Sequence, residues 1–370
     1  MQINQYSASN LRGLKFFTLM PAPHVNVIVG ENNAGKTTML EGIYYCSSLK
    51  SFRSCSTDNL IMLSEKKLQL SLKSTKINEN NLISIEKKLN SVNSAKINDK
   101  KATVKDIMLA TPVIALTFGT ENAVTQSADY RRGLLDWGAF HVEPSYLSLY
   151  KQYMKMLKQR NNLLKSTPTD SLQFWTEKLA ATGSQLDDKR RQYFTLLSEQ
   201  YSNYINLIES YSDDVYDDIK NTLISYYKGW DSELGLAEAL SNSFTKDSAI
   251  KYTSVGPHRG DILLTKDNRE IKSISSMSTQ IILSLLIVLS QSEVFHVKHG
   301  FRPIILIDDI LFGIDDKNLK LVINLLLDSK AQSFVSAPDL YKDKIRSLDK
   351  DSKEVRLYEI HNGVIKEESE

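Results

Sequence analysis

Cysteine, net charge and long apolar runs are all scarce in this 370-residue chain. Its two cysteines, Cys46 and Cys55, have no further Cys or His nearby. That excludes a disulfide framework and a zinc site, and it points to a reducing compartment. The net charge of +2 excludes a strongly basic tail, although 46 Lys and Arg can still concentrate locally. The N-terminal "MQINQYSASN" is polar and does not read as a signal peptide. The longest apolar stretch, "IILSLLIVL" from Ile281 to Leu289, is too short to cross a bilayer and reads as one buried helix. A soluble cytoplasmic protein without a membrane partner is expected. No internal repeat, low-complexity segment, Ser/His/Asp set, nuclease metal cluster or zinc finger is visible.

What is present is the composition of a folded chain: 41% hydrophobic and 24% charged residues. Residues 1–125 read as sheet with one helix. "KFFTLMP" and "HVNVIVG" are β-rich, and "KLQLSLKS" and "NLISIEKKL" alternate as half-exposed strands do. "VIALTFG" reads as a buried strand. From 126 to 250 the chain changes to long polar helices rich in Tyr, Lys and Gln, with little Gly or Pro. "YLSLYKQYMKMLKQRNNLLK" spaces Leu149, Tyr153, Met156 and Leu163 as an amphipathic helix does. From 251 to 370 strands return in "GDILLTK", "RPIILIDD" and "AQSFVSA", with a helix over about 278–297. A closing hairpin is expected with Asn362-Gly363 at its turn. An α/β domain split by a helical insertion is the expected organisation.

"GENNAGKTT" carries the chemistry. Gly30, Gly35, Lys36 and Thr37 fit G-x-x-x-x-G-K-[ST], after a β-rich run and before a helix. The glycines let the backbone N–H groups of Glu31, Asn32, Asn33 and Ala34 curl toward phosphate oxygens. The helix aims its positive end at the same place. Lys36 would reach the outer phosphates of ATP and the Thr37 hydroxyl would ligate Mg²⁺; Thr38 starts the helix. The apolar run "IILIDD" ends in two carboxylates. Asp308 would hold the Mg²⁺, and Asp309 would orient the attacking water. The two motifs are separated by most of the chain, which narrows the class to ABC-type ATPases with an inserted arm.

Together with "DYRRGLLDWGAF", "KQRN", "YTSVGPHRGDI" and "ILIDDILFGID", this chain resembles the RecF family of bacterial recombination proteins over nearly its whole length. The resemblance implies a P-loop ABC-type head, 1–125 with 251–370, and a helical arm at 126–250. It implies an ATP-dependent homodimer, with Ser276 of one copy meeting the nucleotide of the other. It further implies binding to single-stranded and gapped duplex DNA, partnership with RecO and RecR in loading RecA, and a link to the SOS response. The sequence also departs from that family. Ser278 stands where its signature segment has glycine, Phe312 where a small serine is usual, and Gly260 where an aspartate is usual. Phe118 and Glu121 are retained, and "FVSAPD" lacks a switch histidine. Slow hydrolysis, weak dimerisation or a non-hydrolysing scaffold is the corresponding expectation.

Other candidates carry two readings each. Lys151, Lys155 and Lys158 share one helix face with Arg160 nearby, and either meet DNA phosphates or form a solvated surface. Residues 96–106 are a basic cluster on an exposed hairpin. Arg131 and Arg132 either bind phosphate or pair with acids. His258 and Arg259 are functional or structural, Arg12 lies near the nucleotide in related ATPases, and Trp137, Trp175 and Trp230 read as core.

Overall fold

The computed structural model describes residues 1–77, 79–117, 123–166, 170–309, 314–348, 354–361 and 363–367. Phe118, Glu121, Phe312 and Asn362 lie outside the described residues. The first half runs β1 (Gln2–Leu11), β2 (Leu14–Leu19), β3 (Val25–Gly30), α1 (Lys36–Ser48), β4 (Lys67–Lys76), β5 (Glu79–Lys88), β6 (Ser94–Ile97), β7 (Lys100–Lys101), α2 (Val104–Ala110) and β8 (Val113–Thr117). The middle contains α3 (Ala128–Val142), α4 (Tyr146–Lys165), α5 (Asp170–Glu209), α6 (Asp213–Ile219), β9 (Thr222–Tyr227), α7 (Leu236–Asn242), α8 (Phe244–Ile250), β10 (Asp261–Lys266), β11 (Arg269–Glu270) and α9 (Ile271–Ile274). The last part is α10 (Met277–His299), β12 (Ile304–Asp308), α11 (Asp316–Asp328), β13 (Ser333–Pro338), α12 (Lys342–Leu348), β14 (Val355–His361) and β15 (Val364–Glu367).

Two units result: residues 1–122 with 276–370, and residues 123–275. The first unit has two sheets. One is antiparallel, in the order β2-β1-β4-β5-β6-β7. The other is mostly parallel, in the order β15-β14-β3-β13-β12-β8. Helix α1 packs against strands of both, which explains why its buried residues lie all around it rather than on one stripe. Every residue of β3 and β12 is buried. Strands covered on both faces read as near-continuous apolar runs, as "IILI" does and as "VNVIV" does apart from Asn26, whose buried amide bonds to the Ala22 and Ser333 carbonyls. Helix α10 packs on β8 and α11 on β3. Helix α10 runs Met277–His299 where a helix over about 278–297 was expected, and 83% of its most apolar window is buried within the protein. The first half has a second helix, α2, beyond the one expected; Thr103 and Asp106 close its start as a reciprocal cap. The basic segment 96–106 begins as the expected hairpin, pairing Lys96 with Lys101.

The second unit corrects two expectations. Beside the helices expected to make up most of it, it holds a short sheet in which β9 pairs antiparallel with β10 from Asp261↔Tyr227 to Lys266↔Thr222. For the same reason its end lies at Ser275 rather than at 250. The core face of α4 is Tyr146, Tyr153, Leu157, Arg160 and Leu164; of the set read from the apolar pattern only Tyr153 belongs to it, and Leu149, Met156 and Leu163 are half-buried. Trp230 is buried, and its indole N–H donates to the Leu234 carbonyl at 3.0 Å, whereas Trp137 and Trp175 are half-buried.

Polar cross-links knit this unit. Arg131 forms a two-pronged ion pair with Asp261, both contacts at 2.7 Å. Arg132 donates to the Gly260 carbonyl at 2.6 Å and pairs with Asp129. Arg190 pairs with Asp136 at 2.7 Å and donates to the Pro257 carbonyl. Asn161 of "KQRN" accepts from the Thr253 N–H and hydroxyl. His258 donates from Nε2 to the Thr253 carbonyl and so accepts the Tyr153 hydroxyl at Nδ1, 2.7 Å away. Burial pushes that imidazole down to about 4. Arg259 is exposed over the Tyr252 ring. The motif residues Arg131, Arg132 and His258 thus have structural partners.

Arg160 is the deepest of these residues. Its guanidinium and the Asp247 carboxylate are both fully buried, 2.8 Å apart, with Thr176, Thr253, Ser243 and Ser254 hydroxyls around them. Removing one member leaves the other charge buried without its counter-ion, a loss of about 3–5 kcal/mol. Arg160→Ala is therefore expected to destabilise the unfolding transition of this unit by that amount in urea; a loss under about 1 kcal/mol would contradict the pairing.

Candidate nucleotide and magnesium site

The parallel sheet brings distant residues to one edge. Strands β3 and β12 both end at the carboxyl side, with β13 between them. Open α/β sheets bind ligands at that edge. Gly30, the last residue of β3, faces the β14 backbone. A Cβ there would sit 2.5 Å from the Ile360 carbonyl oxygen, so only glycine fits. Gly35 holds φ at +116°, a left-handed value that begins α1 and that a side chain would strain. Between them Glu31, Asn32 and Asn33 are exposed and Ala34 and Gly35 half-buried.

Lys36 is buried, and its ammonium lies back across the loop, donating to the Gly30 carbonyl at 2.8 Å and the Glu31 carbonyl at 2.9 Å. Burial lowers its pKa, opposed by the nearby charges of Asp309, Asp308 and Asp339. Thr37 donates its hydroxyl to Asp308 Oδ1 at 2.9 Å. Thr38 is buried in the first turn of α1.

Ser336, on β13, was not singled out by the sequence. Its hydroxyl donates to the same Asp308 oxygen at 2.7 Å and accepts the Asp309 N–H at 2.8 Å. Asp309 takes a left-handed φ of 56°, which is uncommon outside glycine. Burial, reinforced by the charge of Asp309, pushes Asp308 up to about 6; the two hydroxyl donors and the charge of Arg53 oppose this. The hard oxygen donors of Thr37 and Asp308, facing each other beside a lysine, suit a small divalent cation bound together with phosphate. A serine within an apolar strand carries no pattern that would have marked it.

Two candidates sit elsewhere in the first unit. Arg12 makes a two-pronged ion pair with the buried Glu41 of α1, at 2.7 and 2.9 Å, and Ser51 donates to the same carboxylate. Arg12 is thereby committed to tethering α1. Ser276 caps α10, accepting the Thr279 N–H at 3.1 Å, and Ser278 is half-buried in the first turn. Lys151, Lys155 and Lys158 are exposed on α4, while Arg160 turns away from them into the core.

The RecF/RecN/SMC N-terminal domain model matches residues 2–365. The DNA replication and repair protein RecF of Francisella tularensis subsp. tularensis (strain SCHU S4 / Schu 4) is 31% identical over 348 residues, which is 92% of this chain and 96% of that one. Its counterpart in Francisella tularensis subsp. novicida (strain U112) is equally similar over the same shares. The fold matches that of the recombination mediator protein RecF-ATP in the RecFOR pathway, with TM-score 0.79 and 24% identity over 99% of this chain and 97% of that one. It also matches an SMC head bound to the C-winged helix domain of ScpA, with TM-score 0.59 and 16% identity over 100% and 97%.

The raised Asp308 has a consequence for stability. A carboxyl whose pKa rises on folding stabilises the fold most below its ordinary value, and that contribution is lost as pH rises through about 6. Above pH 6 the nucleotide-free protein holds a buried carboxylate at a cost. Asp308→Asn is therefore expected to raise stability at pH 8 by about 1–3 kcal/mol, with the gain shrinking toward pH 5. Thermal melts of both proteins across that range decide it. A variant less stable than its parent at pH 8 would refute the assignment.

Proposed function

The chain belongs to the RecF/RecN/SMC N-terminal domain family, and on that premise we propose that it is a RecF-type ATP-binding protein of DNA recombination, replication and repair. The observation that carries the proposal is the meeting of Thr37, Asp308 and Ser336 beside Lys36. The N–H groups of Glu31–Gly35 would donate to the phosphate oxygens of ATP, and Lys36 would exchange its two carbonyl partners for phosphate oxygens. Thr37 and Asp308 would hold Mg²⁺, which supplies charge neutralisation at the phosphates. Asp309, fixed through its backbone by Ser336, would orient the attacking water.

In this reading ATP favours a closed homodimer over the monomer through contacts made only across the pair, with Ser276 reaching the partner's nucleotide. Dimerisation closes a surface on single-stranded or gapped duplex DNA. Support comes from the relatives named DNA replication and repair protein RecF and from the fold of RecF-ATP in the RecFOR pathway. Partnership with RecO, RecR and RecA, a part in the SOS response and a cytoplasmic location belong to the same proposal. A second reading, an ATP-binding scaffold that does not hydrolyse, is favoured by Ser278 at the glycine position of the signature segment.

Steady-state ATP turnover, measured with and without gapped duplex DNA, separates the two. DNA-stimulated turnover supports the first reading, and ATP-dependent DNA binding without turnover supports the second. Neither behaviour would overturn both. Lys36→Met should weaken MgATP binding at least tenfold, roughly the worth of one charge-assisted hydrogen bond, by calorimetric titration. Parental affinity in that variant would contradict the site.

A further inference from the structure

Helix α4 offers one stripe of positive charge that the nucleotide site does not use. Lys151, Lys155, Lys158, Asn162 and Lys165 recur at steps of four, three, four and three residues, and all five are exposed. At 3.6 residues per turn they fall on one line, on the far side of the helix from Tyr153, Leu157 and Leu164. From Lys151 to Lys165 the line is about 21 Å long at 1.5 Å per residue.

Three further observations distinguish this stripe from an ordinary solvated face. First, α4 contains no Asp or Glu at all. Second, the ion pairs of the unit run elsewhere: Lys189 to Glu143, Arg191 to Asp187 and Arg190 to Asp136. Among the described residues none of the four lysines forms an ion pair. The remaining cation of the helix, Arg160, is neutralised inside by Asp247. Third, the stripe is held on a rigid support, because the opposite face is locked by buried aromatic and aliphatic side chains and by that ion pair. In a chain of net charge +2, four unneutralised lysines in a line are a local concentration. A membrane-surface helix would need its apolar face free, and here that face is buried in the unit's own core.

We infer that this α4 stripe is a nucleic-acid contact that tracks the phosphate backbone of duplex DNA. It rests on reading the chain as a DNA-binding protein and names the surface that reading leaves open. Duplex DNA carries one charge per roughly 1.7 Å of its axis, so about 21 Å of stripe passes more than enough phosphates for four lysines. Contacts of this kind position the duplex and read no bases. Neutralising four phosphates contributes about −3.6 to the slope of log affinity against log salt, a loss of about 150-fold between 50 and 200 mM.

The test is anisotropy titration of a labelled 30-base-pair duplex, with MgATP, at several salt concentrations. The parent is compared with a quadruple variant, Lys151→Gln, Lys155→Gln, Lys158→Gln and Lys165→Gln, and with the matching quadruple Lys→Arg variant. The Gln variant should bind at least tenfold more weakly at 50 mM salt, with a slope shallower by about 3. The Arg variant should retain affinity and slope, which separates charge from folding. A Gln variant with parental affinity and slope overturns the inference and leaves the stripe to an acidic protein surface. A parent that binds no duplex at 50 mM salt, with or without MgATP, removes the DNA-binding reading itself and this inference with it.

Discussion

The hydrogen bond from Thr37 to Asp308 is the contact on which the head depends. Its two residues are 271 positions apart, yet their side chains meet at 2.9 Å. The meeting is arranged by β13, which lies between β3 and β12 and pairs in parallel with each. Register does the rest: Pro338 stands beside Gly30, and Val335 beside Ile307, so Ser336 lies level with Asp308. An error of one residue in either pairing would turn Asp308 or Ser336 to the opposite face of the sheet. The length of the insertion matters less than it first seems to. Loop-closure entropy grows only with the logarithm of loop length, so a whole folded unit can be spliced between the two motifs at modest cost.

That unit is held together differently from the head. Where α10 buries a mostly apolar surface and the Arg12–Glu41 pair tethers α1, the second unit places three arginine–aspartate pairs at its element junctions. Arg131–Asp261 joins α3 to β10, Arg160–Asp247 joins α4 to α8, and Arg190–Asp136 joins α5 to α3. Buried pairs give little net stability against apolar residues of equal size, but each is directional and tolerates few alternatives. The short strongly patterned motifs "DYRR", "KQRN" and "GPHR" coincide with these junctions. Their residue types follow from interlocking geometry: Arg190 takes the Pro257 carbonyl, Arg132 the Gly260 carbonyl and Asn161 the Thr253 hydroxyl.

Legibility in the sequence followed locality. The glycine loop was readable because each position answers to backbone chemistry within nine residues. Asp308 was readable because a buried strand that ends in carboxylates is an unusual pattern. Ser336 was not, since a serine in a strand is defined only by what the neighbouring strand brings beside it. The boundary at 250 failed for the same reason: "GDILLTK" joins the second unit through cross-strand pairing with β9, and pairing partners leave no trace in local composition. Apolar residues are spread around α4 closely enough that Leu149, Met156 and Leu163 read as its core face beside Tyr153, and a hydrophobic pattern cannot register Arg160, a buried arginine whose counter-ion is 87 residues away.

The nucleotide edge also breaks local rules in ways that share one cause. Asp309 holds a left-handed backbone, Asp308 carries a carboxylate charge that burial disfavours, and Lys36 directs its donors to carbonyl oxygens of its own loop. Each costs stability, and all three lie at the edge of the sheet where β3 and β12 end. Costly local choices gathered at one edge of a parallel sheet are the mark of a ligand site. A cation between Thr37 and Asp308 would relieve the buried carboxylate, and phosphate oxygens would take over the Lys36 ammonium. The same ligand would thus offset two of the three costs.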